Sequence, residues 1–304
     1  MDNKSVAVLG ASSFVGKYLL LLLSKASYHV VAYSRSVKND LSIDKVEWRK
    51  LSTQQNPLTK PDETIADWIC VAPIWVLPNY FMQLELAGAK RLVVLSSTSL
   101  FTKNNSTDPE EQALAQHFAA AESSIQSWAE RVGVDWVILR PTLIYGLAGD
   151  KNIFEIARFI KRLGCFPLLG KAQGLRQPVR VEDVAGACLA TLESAAAKNH
   201  AYNISGAEIL TYREMVTKVF VALERKPCFL IVPLCIFSLA VAFLRRLPRY
   251  KHWSVAMVER MNQNMVFDYL DAARDFGFKP KPFTLSAEDL NACHIINQTV
   301  DVSE

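Results

Sequence analysis

The chain has 304 residues, half of them apolar, which is enough to bury one large core or to divide into a main domain and a smaller lobe, and it excludes a disordered protein. Its formal net charge of +4 comes from Lys, Arg, Asp and Glu interspersed along the chain rather than from a basic tract, so nucleic acid is excluded as the default partner. Cys70, Cys165, Cys188, Cys228, Cys235 and Cys293 form no Cys-x-x-Cys pair and no His stands at metal-ligand spacing, which points to reduced thiols in a cytoplasmic protein without a metal site.

The N-terminal MDNKSVAVLG carries no basic n-region and no small-residue cleavage site, so no signal peptide is visible in it. SVAVLG (5–10) is a β-branched run ending in glycine, and SFVGKYLLLLLSKA after it is a helix too apolar to face water. The pair predicts a strand, turn and helix buried on a parallel sheet. HVVAYSR (29–35), KVEWRKL (45–51), DWICVAP (67–73), RLVVLSS (91–97) and DWVILRP (135–141) repeat the short buried strand, with helical segments between several of them. The class is therefore α/β, a doubly wound parallel sheet.

One helix is marked at both ends. Asp108 can cap it, Pro109 fits its first turn, Glu110 and Glu111 suit its positive end, and Gly133 follows its last turn. Leu114, Phe118, Ala121, Ile125, Trp128 and Val132 recur at helical spacing and define an inward stripe.

Between the first strand and its helix lies Gly10-Ala11-Ser12-Ser13-Phe14-Val15-Gly16. Small residues there let backbone N–H groups at a helix N-terminus approach a pyrophosphate, and Ser13 stands where a middle glycine is usual. At the end of the second strand an NAD site would place Asp or Glu against the ribose 2′-hydroxyl, but the residues are Tyr33-Ser34-Arg35-Ser36. Serine leaves room for a 2′-phosphate and arginine can pair with it, so NADP(H) is the expected cofactor, with NAD(H) the alternative.

With VLGASSFVG, LVVLSSTSLF, VGVDWVILRPTLIYG, GLRQPVRVEDVAGACLATL, AYNISG and FDYLDAARDFGFKPKPF in this order, the chain resembles the extended and atypical short-chain dehydrogenase/reductases of the NAD-dependent epimerase/dehydratase family. The resemblance implies a dinucleotide on a Rossmann domain (1–148 and 176–206) and a nucleotide sugar or related small-molecule substrate under a smaller, discontinuous C-terminal lobe (149–175 and 207–304). It places Gly10, Ser12, Ser13, Phe14, Val15, Gly16, Ser34, Arg35, Ala72, Pro73 and Pro141 at the cofactor, with Thr142 near its nicotinamide end. Ser97 matches the hydroxyl residue that orients substrate, with Thr98 the equivalent if the register shifts by one.

The family's Tyr-x-x-x-Lys pair is missing, since its positions fall on Leu114 and Phe118. No tyrosine occurs between Tyr80 and Tyr145 and no lysine between Lys103 and Lys151, so no shift along this helix restores it. His117 lies about 100° around the helix from Phe118, and Tyr145 after the sixth strand is the better substitute proton carrier, or else packs beneath the lobe. Leu51 replaces an aspartate usual near the adenine. Arg176 matches an arginine that grips a substrate diphosphate, Arg260 assists it, and an ion pair of Arg176 with Glu182 or Asp183 is the alternative.

Residues 228–244, CFLIVPLCIFSLAVAFL, contain Pro233 and are short for a membrane span. They read as a core helix of the lobe or as an interfacial helix anchored by Arg245, Arg246, Arg249 and Trp253, giving peripheral contact through 228–253 on the inner face of a membrane. Two functions follow: an NAD(P)-dependent epimerase, dehydratase or reductase with a degenerate site, or a catalytically silent NADP(H)-binding sensor, assembly factor or complex subunit. A homodimer is compatible with either.

Overall fold

The computed structural model describes residues 4–35, 43–51, 64–146, 150, 152–232, 260–286 and 288–290. Its centre is a seven-stranded sheet of β1 (Ser5–Leu9), β2 (His29–Ser34), β3 (Val46–Lys50), β4 (Asp67–Cys70), β5 (Arg91–Leu95), β6 (Asp135–Pro141) and a last strand, His200–Ile204. The order is His200–Ile204, β6, β5, β4, β1, β2, β3, and every neighbouring pair is parallel. The chain leaves β1 in one direction for β2 and β3 and in the other for β4, β5 and β6. The carboxyl ends of β1 and β4 therefore flank the crevice where such sheets bind ligands.

Helices cover both faces, which is why the central strands are mostly apolar rather than alternating; β3, expected from KVEWRKL as another buried strand, is instead the edge strand and has no buried residue, with Glu47 and Lys50 exposed. On one side α1 (Phe14–Lys25) buries Val15, Leu19, Leu20 and Leu23 against the sheet. The other face is covered by the 3-10 turn Ile74–Tyr80, α2 (Phe81–Leu86) and α4 (Pro109–Val132), while the single turn α3 (Ser99–Thr102) follows β5. The ends of α4 follow from its sequence: Asp108 accepts from Glu110 N at 3.0 Å, Pro109 opens the first turn, and Gly133 closes the helix at φ +73°. Ala121, Ile125 and Trp128 of its stripe are buried, whereas Leu114, Phe118 and Val132 are half-buried.

After β6 the chain makes β7 (Ile144–Tyr145), α5 (Ile153–Leu163), β8 (Phe166–Leu169), β9 (Leu175–Arg176) and β10 (Val179–Arg180). It then returns to the sheet through α6 (Val181–Glu193) and β11 (His200–Ile204). Arg91, at the start of β5, donates to the carbonyls of Thr191 and Ser194, the latter at 2.5 Å, so a buried guanidinium caps the C-terminus of α6. β12 (Leu210–Thr211), α7 (Tyr212–Ala222) and β13 (Phe229–Val232) follow, and α8 (Leu270–Phe276) packs near β11. Tyr145, Ile153, Ile160, Leu168, Met215, Phe220 and Phe283 form a third buried cluster, separate from the two that line the sheet.

The four cysteines among the described residues are free, and no group of His, Cys, Asp and Glu among those residues can hold a metal ion. No helix among them is long and apolar enough to cross a membrane. Of the run expected as a core or interfacial helix, only 228–232 are described, and there Phe229–Val232 form the strand β13 paired with β8 rather than a helix; the rest of 228–253 lies outside the described residues, as do Cys235 and Cys293.

Candidate functional site

The turn after β1 fits a dinucleotide. Gly10 has φ +83°, and a Cβ built on it would lie 2.5 Å from Ala72 N, so the turn presses against the backbone leaving β4. Ser13 caps α1, its hydroxyl accepting from Gly16 N at 3.1 Å. Helix geometry leaves the N–H groups of Phe14 and Val15 without intrahelical acceptors, and the first turn of α1 carries no acidic residue. Such a turn holds a pyrophosphate by backbone donors and a helix dipole.

Ser12 and Ser34 meet across the same crevice, their hydroxyl oxygens 2.7 Å apart. Ser34 is buried at the end of β2 and Arg35, next in the chain, is exposed. Among the described residues no carboxylate stands at this strand end, and Leu51, the residue after β3, donates its N–H to Ser34 O at 2.7 Å. Ala72 is half-buried and Pro73 exposed on the β4 side of the crevice.

At the end of β5 three hydroxyls have three different fates. Ser96 is buried and donates to Glu122 Oε1 at 2.5 Å, while Glu122 also takes the guanidinium of Arg140 through both oxygens. Thr98 is buried and donates to Pro141 O at 3.1 Å. Ser97 is half-exposed and accepts from Ser99 N at 3.1 Å, which leaves its proton free to donate outward. Of the two hydroxyls weighed from the sequence, Ser97 is the one presented.

At the positions expected for the Tyr-x-x-x-Lys pair, α4 carries Leu114 and Phe118, neither of which can move a proton. Phe118 meets Trp75 edge to face, ring centroids 5.4 Å apart, and Trp75 is 42 % exposed. His117 is exposed on the outer side of the helix. Tyr145 is fully buried: its ring packs on Phe283 at 4.7 Å and its hydroxyl donates to Pro282 O at 3.5 Å and accepts from Thr284 N at 3.4 Å. Burial raises its pKa above the ordinary tyrosine value. The structure thus brings Tyr145 to the lobe interior rather than to Ser97.

A polar cavity of about 380 Å³ opens between the segment after β5 and residues 260–265. Phe101, Thr102, Asn105, Ser106 and Glu111 line one side, and Arg260, Gln263, Asn264 and Met265 the other. Arg260 forms an ion pair with Glu111. Arg176, expected at a substrate diphosphate, does not line this cavity. It is buried, donates to the carbonyls of Leu175 and Gln263 at 2.8 Å each and to that of Arg260, and lies over the Tyr212 ring at 5.4 Å. Burial pushes its pKa down to about 10. Three carbonyls have taken donors that a phosphate would need, and the ion pair with Glu182 belongs to Arg180 instead, at 3.1 Å. The polar run Asn262-Gln263-Asn264 was the signal for the lobe side of the cavity, and it carries no chemistry that spacing alone reveals.

A doubly wound sheet with a phosphate turn at its switch point defines a dinucleotide-binding class of protein. Residues 79–205 match the model of the NAD dependent epimerase/dehydratase family, so this part of the chain is similar to that family. It is 21 % identical to a UDP-glucose 4-epimerase of Vibrio cholerae over 210 residues, which are 66 % of this chain and 61 % of that one, so it spans less than two thirds of the relative's length. The fold matches UDP-glucuronic acid 4-epimerase from Bacillus cereus, in complex with NAD, at a TM-score of 0.69 and 14 % identity, over 94 % of this chain and 95 % of that one. UDP-glucose 4-epimerase from Thermotoga maritima, with UDP-glucose, matches at 0.65 and 15 % identity, over 94 % and 95 % of the two chains.

Proposed function

We propose that the chain is an NADP(H)-dependent epimerase, dehydratase or reductase acting on a nucleotide sugar or a related substrate. The observation that carries this reading is the half-exposed hydroxyl of Ser97 just after β5, on the same carboxyl edge of the parallel sheet as the glycine turn after β1. NAD and UDP-sugars in the similar structures support it. The nicotinamide cofactor, when bound, supplies the taking and return of hydride.

The chain's own residues do the rest. Phe14 and Val15 N–H groups hold the pyrophosphate, and Ser12, Ser34 and Arg35 face an adenosine 2′-phosphate, which favours NADP(H) over NAD(H). Ser97 orients the substrate hydroxyl or carbonyl. With Leu114 and Phe118 apolar and Tyr145 withdrawn, the proton moves through water or the substrate itself, and the turnover is slow.

The Trp75–Phe118 contact favours a second reading, an NADP(H)-binding sensor, assembly factor or complex subunit without catalysis. Turnover of a panel of nucleotide sugars with NADP and NAD separates the two. Slow turnover that Ser97→Ala abolishes supports the enzyme; NADPH binding without turnover supports the sensor; fast turnover indifferent to Ser97→Ala shows that the site lies elsewhere.

Two further features extend the proposal. Leu230 and Ile231 are 53 % and 65 % exposed on β13, and Arg225 Nη1 donates to Ile160 O at 2.8 Å, bringing the ends of α5 and α7 together beside exposed Arg162 and Lys226. Apolar and basic groups side by side support peripheral contact with an anionic membrane. Exposed Met82 and Leu86 on α2 support a homodimer.

A further inference from the structure

The polar cavity contains more positive charge than its lining first suggests. The Glu111 carboxylate sits at its wall in the first turn of α4, its side chain 12 % exposed, and three groups hold it. Arg260 pairs with Oε1, Lys103 Nζ lies 3.9 Å from the same oxygen, and Ser106 Oγ donates to Oε2 at 2.8 Å. Two cations thus share the Glu111 carboxylate in a partly desolvated place; Asp108 also acts on Lys103, and buried Arg176 adds a third positive charge beside Arg260. Burial and then the neighbouring Arg260 press the Lys103 ammonium below its usual pKa, against the opposing pull of Glu111 and Asp108. Beneath them Arg176 holds the carbonyls of Arg260 and Gln263, which fixes the backbone that carries Arg260 without engaging its side chain.

We propose that Glu111 is a built-in competitor at an anion subsite: Arg260 and Lys103 take either the Glu111 carboxylate or an anionic group of the substrate, which must displace it. The identity of that group as a nucleoside diphosphate rests on the proposed function; the subsite itself does not. Exchanging one carboxylate for a single-charged group gains no Coulomb energy, because the same cations meet the same charge. A group with two or more negative charges gains the interaction that Glu111 leaves unused. Glu111 therefore makes the subsite selective for a diphosphate or similar polyanion over a monoanion, and it weakens binding of both.

Calorimetric titration of the full chain with inorganic pyrophosphate tests this, with acetate as the monoanion and Arg260→Ala to subtract binding at the dinucleotide turn. Glu111→Gln keeps the shape and removes the charge, and it is expected to tighten the Arg260-dependent binding of pyrophosphate by roughly tenfold, the size of one charge-assisted contact. It is also expected to narrow the preference for pyrophosphate over acetate. Glu111→Ala serves the same purpose if the glutamine variant does not fold.

Unchanged or weaker pyrophosphate binding in a folded Glu111 variant overturns the proposal, as does tightening that Arg260→Ala leaves intact, or no Arg260-dependent binding in any variant. UDP provides the separate arm. Tightened pyrophosphate with UDP no better than pyrophosphate keeps the subsite and rejects the nucleotide reading. Tight UDP binding indifferent to both residues keeps the nucleotide reading and rejects the subsite.

Discussion

Replacing Gly10 with alanine tests whether the phosphate turn is built as described. The residue has φ +83°, a region that costs an L-residue roughly 1–2 kcal/mol. The new methyl would lie 2.5 Å from Ala72 N and 2.8 Å from Ala72 Cα, and backbone at the end of a central strand cannot step aside as a side chain tip can. Overpacking of this kind costs about 1–3 kcal/mol, while lost freedom of the unfolded chain returns about 0.4–1 kcal/mol. The net is a loss of about 2–4 kcal/mol.

Gly133 is the control. Its φ of +73° is similar, yet nothing lies within 4 Å of a Cβ built there. Gly133→Ala bears the backbone strain without the clash, so its net cost is about 0–1 kcal/mol. The two variants differ by the clash alone, about 1–3 kcal/mol, so at about 2–4 °C per kcal/mol for a chain of this order of size their thermal midpoints should differ by roughly 2–12 °C. Thermal unfolding followed by circular dichroism measures the difference. Equal losses would show that Gly10 does not press on Ala72, and the crevice would need to be redrawn.

Arg35→Ala should weaken NADPH binding by about 1.5–3 kcal/mol and leave NADH unchanged, because only the former carries the 2′-phosphate; equal effects on both cofactors in paired titrations would reject the assignment. Glu193 accepts from Tyr28 at 2.9 Å and from Lys4 at 3.2 Å, contacts that hold its carboxyl below the usual glutamate range. A carboxylate whose folded pKa is lowered adds stability above its unfolded pKa and loses it as pH falls through the folded value. Urea midpoints below the ordinary glutamate pKa should therefore fall less steeply with acid in Glu193→Gln than in the wild type, and parallel pH profiles would count against the contact. If β13 and its basic neighbours meet a membrane, the protein should float with anionic liposomes and detach as salt rises, whereas indifference to liposomes at low salt would leave β13 an ordinary edge.

What the sequence made legible were the elements buried on both sides. β1, β2 and β6 each hold a run of at least four consecutive buried residues, and α4 is announced by Asp108, Pro109 and Gly133, so local chemistry alone bounds them. The short pairs of the lobe were not legible, because β9 exists only where Arg176 meets Leu210 and β8 only where Phe166 meets Phe229, far along the chain. The same distinction governs the site. The small residues of the phosphate turn report a backbone shape and can be read locally. Arg176 cannot: an arginine that grips a phosphate and one that grips three carbonyls look alike until the partners arrive. Glu111 reads as a dipole partner at a helix start, and its two cations come from positions 103 and 260.

The position of β11 has a consequence for how the chain is made. This strand closes the sheet beside β6 in register, Ala201 opposite Ile138 and Ile204 opposite Pro141, yet the ribosome delivers it only after residues 142–199. Until then β6 is an edge strand whose outer N–H and C=O groups lack their partner, with Val137, Ile138 and Leu139 at the rim. Six strands can assemble as they emerge, at about 5–20 residues per second, but the seventh waits several seconds behind β5 and β6. That interval is when two nascent chains can pair edge to edge. Tyr202 of β11, donating to Asp275 Oδ2 at 2.8 Å, then needs α8 as well, so the edge is locked only once α8 has been made.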